Sequence, residues 1–247
     1  MTSPHGKIAA LLCTVLLALP LRGAEPLYEP IPDIHAAARA ALKSGDLKNG
    51  QTSFPAVIRG KSYPGTWEFW GIEKGGTPAD FKLIPMKFRA QGVNKGQFLT
   101  PRGGCFTDLN FGRLRNLGEV TGIAFSFRNP SQEALEMELD GGLRLYSFDP
   151  AKPFDLFVFT VDSGGKRRVV ATSADKDAFF VIGGVRHYFR LSVDVRLEKG
   201  ARVFVALCDP GLTQSPAKKI KMVFCLNEGH RKWAFMPRFI LRSPIKK

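Results

Sequence analysis

The sequence predicts an all-β protein: an antiparallel β-sandwich with a short N-terminal helix. Three observations lead there. From residue 54 onward, apolar side chains recur at every second position, the period of a strand with one buried face. Gly, Pro, Asn and Asp clusters punctuate these runs at spacings of about 8–12 residues, which suits many short strands joined by turns. Only one stretch, after residue 33, carries a helical period. With 44 % hydrophobic and 23 % charged residues the chain is globular in composition rather than disordered.

The first 24 residues have their own layout. Lys7 precedes an uncharged apolar run from Ile8 to Leu19, and Pro20 and the small residues Gly23 and Ala24 follow. This is the arrangement of a secretory signal peptide, and the run is too short to span a bilayer comfortably. Arg22 stands where a small residue is preferred if Ala24 is the last one removed, so an uncleaved anchor is the rival reading. No later stretch approaches ~18 uninterrupted apolar residues, so no transmembrane segment is expected after cleavage. The expected location is outside the cytoplasm: secreted, periplasmic or at the cell surface.

Residues 25–32, EPLYEPIP, are proline-rich and read as an extended lead-in. Asp33 is placed to cap a helix over IHAAARAALKS, which Gly45 ends. Ile34, Ala37, Ala38, Ala41 and Leu42 fall on one helical face, which predicts that it packs against something. In the run 66–73, TWEFWGIE, Trp67 and Phe69 share one strand face and Glu68 and Trp70 the other. Runs at 81–88 and 120–127 follow. Residues 134–140 alternate cleanly, and Asp140-Gly141-Gly142 predicts a hairpin turn into LRLYSF. Residues 154–161 form a near-continuous apolar strand, turned at Ser163-Gly164-Gly165-Lys166 into 168–172, with 178–182 next. From 187 to 197, His187, Phe189, Leu191, Val193, Val195 and Leu197 alternate with Tyr188, Arg190, Ser192, Asp194 and Arg196. Lys199-Gly200 predicts a turn into 201–208, and runs at 220–226 and 235–241 complete the set. The organisation is a signal peptide at 1–24, an extended segment and helix at 25–53, and a sandwich domain at 54–247 with a basic C-terminal segment.

The stretch LSVDVRLEKGARVFVALCDPG resembles the closing hairpin of jelly-roll modules in secreted bacterial proteins, and GTWEFW and ELDGGLRLYSF resemble their opening strands. The resemblance covers roughly residues 60–226. It implies a jelly-roll sandwich of the galactose-binding-like or carbohydrate-binding-module-like kind, and no particular sugar. Ala201 stands where such modules carry Asp, so a metal or turn role at that position is not inherited.

Chemistry-bearing signals are few. GxSxG, HExxH, the P-loop and GxGxxG are absent from the sequence. Neither CxxC nor a Cys/His cluster occurs, so zinc has no support. Cys105, Cys208 and Cys225 would remain after cleavage; export permits one disulfide among them, and spacing does not choose the pair. No cofactor is expected. Asp108 and Asn110 could offer hard oxygens to a structural calcium, although an Asx turn explains them as well. His187 falls on the apolar face of its strand, which favours a core role over that of a base.

Aromatic and cationic residues give the better lead. Trp70 beside Glu68, and Tyr188 beside Arg190, could stack on sugar rings while the charged neighbours bind hydroxyls. The formal charge is +14, and about +12 without Lys7 and Arg22. Residues 217–247 hold nine Lys/Arg, among them Arg231 and Lys232, against the single acid Glu228. Such a segment attracts polyanions. The candidate ligand contacts are therefore Trp70, Tyr188, Arg190, Arg231 and Lys232. The expected function is a non-catalytic binding module for a glycan or another acidic extracellular polymer. The alternatives are a structural envelope or matrix protein that engages a protein partner, and a glycan-degrading enzyme. No pattern for specific nucleic-acid recognition is present.

Overall fold

Strand alternation governs the fold in the computed structural model, which describes residues 29–73, 82–92, 95–102, 106–108, 120–145, 155–172, 179–182, 187–208, 234–242 and 245. The segment 1–24, read above as a signal peptide, Cys105, Cys225, Asn110, the run at 220–226, Arg231, Lys232 and Trp233 lie outside the described residues. Among the described residues, no helix is long and apolar enough to cross a membrane.

A short strand β1 (Glu29–Ile31) leads into helix α1 (Ile34–Ser44). The Asp33 carboxylate accepts the Ala36 N–H at 2.6 Å, and Gly45 ends the helix at φ +84°. Both caps match the sequence expectation, because a short acceptor and a residue free to turn left-handed satisfy orphan backbone groups. The remaining described strands are β2 (Ser53–Ile58), β3 (Lys61–Glu73), β4 (Leu83–Pro85), β5 (Lys87–Ala90), β6 (Gly96–Leu99), β7 (Phe106–Asp108), β8 (Val120–Arg128) and β9 (Leu135–Leu145). They continue with β10 (Asp155–Val161), β11 (Arg167–Thr172), β12 (Phe179–Ile182), β13 (His187–Leu197), β14 (Arg202–Cys208) and β15 (Ala234–Leu241).

These strands form a five-stranded sheet in the order β1-β15-β9-β13-β12 and a seven-stranded sheet in the order β11-β10-β14-β8-β3-β2, with β4 on β3. All described pairings in both are antiparallel. The two sheets share one core. Phe239 of the smaller sheet lies 5.7 Å from the Trp67 ring, 5.7 Å from Phe127 and 6.4 Å from Phe125 of the larger. Leu135, Met137, Leu139, Val195, Leu197 and Leu241 line one side of this core, and Trp67, Phe69, Ile123, Phe125, Phe127, Val203, Val205 and Leu207 the other. Helix α1 buries Ile34, Ala37, Ala38 and Ala41 in the same cluster. Strands β5, β6 and β7 make a separate small sheet, and Phe98 joins it to the core through Phe54 and Phe69.

The outer faces of the two large sheets differ. The smaller sheet is polar outside: Glu136, Glu138, Asp194 and Arg196 alternate with its buried row. The larger sheet carries a second apolar cluster on its outer face, made of Ile72, Ala124, Phe157, Phe159, Phe204 and Ala206. Burial on both faces is why β10 and β14 read as near-continuous apolar runs rather than alternating ones.

One expected turn and one expected hairpin pairing are corrected. Asp140-Gly141-Gly142 is not a hairpin; β9 runs straight through it to Leu145. Gly141 lies opposite Leu191 of β13 and Pro237 of β15, so ladders on both sides of this central strand override the local turn preference. Lys199-Gly200 is a turn, with Gly200 at φ +73°, but β13 and β14 do not pair. The chain crosses there from the smaller sheet to the larger, because each strand finds its own ladder in a different layer. The run at 81–88 is also divided, between β4 and β5. The turn after β10 is as expected: Asp162 Oδ1 accepts the N–H groups of Gly164 at 2.9 Å and Lys166 at 2.8 Å.

His35 is the odd member of the core. It is 3 % exposed, its ring lies 5.5 Å from that of Phe69, and neither ring nitrogen has a hydrogen-bond partner among the described residues. Burial, aided by the charge on Arg39, pushes its pKa down from 6.5 to about 3. The folded state thus keeps His35 neutral while the unfolded chain protonates it below about pH 6.5. Its stabilising contribution is complete above that pH and is lost on the way down to about 3. Urea unfolding between pH 7 and 4 is expected to show stability falling by about 1.4 kcal/mol per pH unit from this group. In His35→Leu that component disappears; an unchanged slope in the variant would contradict the assignment.

Candidate functional site

The outer face of the seven-stranded sheet is organised in cross-strand rows. Residues directly opposite one another on neighbouring strands share a face, with Cβ atoms about 4.5–5.5 Å apart. Nearest the β8–β9 and β13–β14 turns, the register aligns Arg128 of β8, Arg202 of β14, Val161 of β10 and Arg167 of β11. The next row holds Glu68, Ser126, Phe204, Phe159 and Val169. A further row begins with Trp70 and Ala124 and continues to Ala206 and Phe157. A cationic row thus borders an aromatic one.

Hydrogen bonds tie the two rows together. Glu68 Oε2 accepts from Arg202 Nε at 2.9 Å and from the Ser126 hydroxyl at 3.3 Å. Ser126 Oγ in turn accepts the Trp70 indole N–H at 3.0 Å. The Glu68 carboxylate side chain is only 12 % exposed and that of Arg202 32 %, so the pair is shielded more than a surface ion pair. Beyond it, the Phe204 and Phe159 rings stack at 4.8 Å, nearly parallel, and the Arg167 guanidinium sits 4.7 Å above Phe159. Arg128 differs from its neighbours: among the described residues it has no ion pair and no hydrogen-bond acceptor.

Around the corner of this face is a cleft of about 300 Å³, lined by Tyr63, Pro64, Gly65, Thr66, Arg128 and the 129–132 and 199–200 turns. Each part has a local cause. The Thr66 hydroxyl donates to the Tyr63 carbonyl at 2.7 Å and closes the Pro64-Gly65 bend, where Gly65 has φ +66°. The buried Asn129 amide donates to the carbonyls of Glu133, Leu197 and Glu198, tying the β8–β9 turn to the end of β13. Gly200, at φ +73°, turns the chain beside Arg128, and a Cβ there would meet Arg128 Nη2 only at 4.0 Å, an ordinary contact. Lys61 Nζ lies 5.5 Å from the centre of the Tyr63 ring. Lys199, exposed in its turn, has no ion pair among the described residues. The cleft therefore combines an aromatic ring, hydroxyl and amide groups and cations without counter-ions among the described residues.

The sequence-predicted contacts are distributed otherwise. Trp70 is half-buried against Phe204, at 5.7 Å, and its N–H is committed to Ser126. Tyr188 and Arg190 stand on β13 of the smaller sheet, in register with Arg144 and Gly142 of β9, and Trp70 stands on β3 of the larger. Arg231 and Lys232 fall outside the described residues. Arg242, from the basic C-terminal stretch, binds Glu138 at 2.6 Å and Asp194 at 2.9 Å. Arg196 binds Glu136 at 2.7 Å and Glu198 at 2.9 Å, and hydrogen bonding to Glu198, then to Glu136, raises its pKa further. Both of these arginines are thus engaged by two carboxylates each. No group of three His, Cys, Asp or Glu side chains suited to a metal ion occurs among the described residues.

Tyr63, Arg128 and Lys199 were not legible as a site. Arg128 merely ends an alternating run, Lys199 looked like turn punctuation, and no motif links positions so far apart in the chain. No family model matches the chain, and no curated protein matches it either.

Glu68 orients this whole corner. Glu68→Gln leaves Arg202 without its counter-ion in a partly shielded place, which is expected to cost about 1–2 kcal/mol in chemical denaturation. The indole fluorescence of Trp70 should change with it, since Ser126 links the two. A variant as stable as the parent would show that the Glu68–Arg202 pair does not organise the face.

Proposed function

We propose that this chain is an exported, non-catalytic binding module of jelly-roll architecture that takes acidic carbohydrate at the end cleft of its larger sheet. Strand order supports the architecture. Take β1, β8, β9, β10, β11, β13, β14 and β15 as the first to eighth strands of a roll. The smaller sheet then runs first-eighth-third-sixth and the larger second-seventh-fourth-fifth. That is the order obtained when one long antiparallel hairpin is wrapped into two facing sheets. Strands β2 and β3 extend the larger sheet beyond β8. Export rests on the signal-peptide layout of residues 1–24.

One observation carries the ligand class: Arg128 and Lys199, cations without counter-ions among the described residues, flank Tyr63 in a cleft with hydroxyl and amide groups. An aromatic ring stacks on the apolar side of a sugar, amides and hydroxyls bind its hydroxyl groups, and guanidinium and ammonium groups bind its acid. At about 300 Å³ the cleft has room for about one or two sugar rings. The net charge raises the encounter rate with any such polymer.

Titration calorimetry of the chain without residues 1–24, against polygalacturonate, heparin and a neutral glucan at low and raised salt, tests this. The expected result is binding to an acidic glycan, absent for the neutral one, weakened about tenfold by Tyr63→Ala or Lys199→Ala. Equal binding to every polyanion, DNA included, that is insensitive to Tyr63→Ala would mean bare charge and defeat the proposal. Absence of glycan binding together with copurification of an envelope protein would favour the structural alternative.

A further inference from the structure

Two arginines stand directly opposite each other on adjacent strands: Arg128 of β8 and Arg202 of β14. Like charges in that relation destabilise a sheet, and the local groups relieve only half of the conflict. Glu68 neutralises Arg202 through its Nε, and no carboxylate among the described residues reaches Arg128. Glu68 also fixes how Arg202 is held: with Nε engaged, its two terminal nitrogens have no hydrogen-bond partner among the described residues. The Arg128 guanidinium lies beside Gly200, and both line the cleft. Lys199 adjoins it in the turn.

We infer that Arg128 and Arg202 form a two-guanidinium fork that binds the oxyanion of the ligand, a carboxylate or sulfate group, between β8 and β14 at the rim of the cleft. This deepens the carbohydrate-binding reading above and rests on it for the polymer; the fork itself rests on the register. Guanidinium groups suit such a ligand because each presents paired N–H donors matching two oxygens of one acid group. An anion between them converts a repulsive cross-strand pair into two attractive ones, so the empty fork strains the sheet and the filled fork relieves it. Trp70 and Ser126 stand behind Glu68 as positioning residues rather than as contacts.

The consequence is an opposition between stability and binding at one residue. Thermal unfolding is measured in sodium sulfate and in sodium chloride at equal ionic strength, for the parent chain, Arg128→Gln and Arg128→Lys. In dilute buffer Arg128→Gln is expected to melt about 1–3 °C higher than the parent. Sulfate should raise the parent's melting temperature beyond chloride; in Arg128→Gln that excess should shrink to the general effect of sulfate exclusion from the protein surface, and in Arg128→Lys the further part should persist partly. A sulfate excess unchanged in Arg128→Gln, or a lower melting temperature of that variant in dilute buffer, overturns the fork. Calorimetry with polygalacturonate and heparin separates the sources of the anion. Polymer affinity reduced about tenfold in Arg128→Gln places the oxyanion on the polymer. A fork that responds to sulfate but to neither polymer keeps the site and defeats the carbohydrate reading. Polymer binding that ignores Arg128→Gln keeps that reading and defeats the fork.

Discussion

Phe239 sits where the two sheets meet. Its ring touches Trp67, Phe125 and Phe127 across the gap between layers, and the rest of the molecule follows from keeping that contact. Once Phe239 faces inward, Leu241 on the same strand does too, and antiparallel register passes the parity to Leu139 and Met137 of β9 and then to Val193 and Val195 of β13. On the other layer, Trp67 passes it to Phe127 and on to Val203. A slip of one residue in any of these strands would turn a whole buried row to solvent. The aromatic contact is thus a register lock for both sheets.

The same parity gives each sheet its outer face, and the two outer faces solve different problems. On the smaller sheet, outward charges of both signs lie within reach of one another. Arg196 finds Glu136 and Glu198, and Arg242 finds Glu138 and Asp194. Such exposed pairs add little stability, but they leave each of these arginines with carboxylate partners. On the larger sheet the outward positions are mostly apolar, with Phe157, Phe159, Phe204 and Trp70 in adjoining rows, and charge is confined to the edge next to the turns. There, among the described residues, Glu68 serves Arg202, and Arg128 and Lys199 have no counter-ion. The chain's positive charge is therefore not spread evenly. Arg242, counted within the basic C-terminal segment, is held by two carboxylates, whereas Arg128, in an unremarked strand end, borders an open cleft.

Much of this architecture was legible in the residues themselves. A strand's side chains alternate because of backbone geometry alone, so TWEFWGIE already assigns Trp67 and Phe69 to one face and Glu68 and Trp70 to the other. Capping is equally local: Asp33 and Gly45 mark the ends of α1 because a short acceptor and a left-handed glycine each act within a few residues. The turn at Asp162-Ser163-Gly164-Gly165 belongs with them. Local rules failed where two or more strands compete for one segment. Gly141-Gly142 has the chemistry of a hairpin turn, yet β13 and β15 both hydrogen-bond to β9 there and hold it extended.

Local residue order fixes the parity of a strand, the ends of the helix and the tight turns at 162–166 and 199–200, since all three depend on neighbours within a few residues. Long-range packing settles which strands lie side by side, and with that the corner that holds the cleft. Tyr63, Arg128, Lys199 and Arg202 share no local pattern; they meet because β3, β8 and β14 are consecutive strands of one sheet and their connecting turns open at one end. Strand adjacency is a long-range choice, set by burying both layers at once, and no stretch of chain a few residues long contains it.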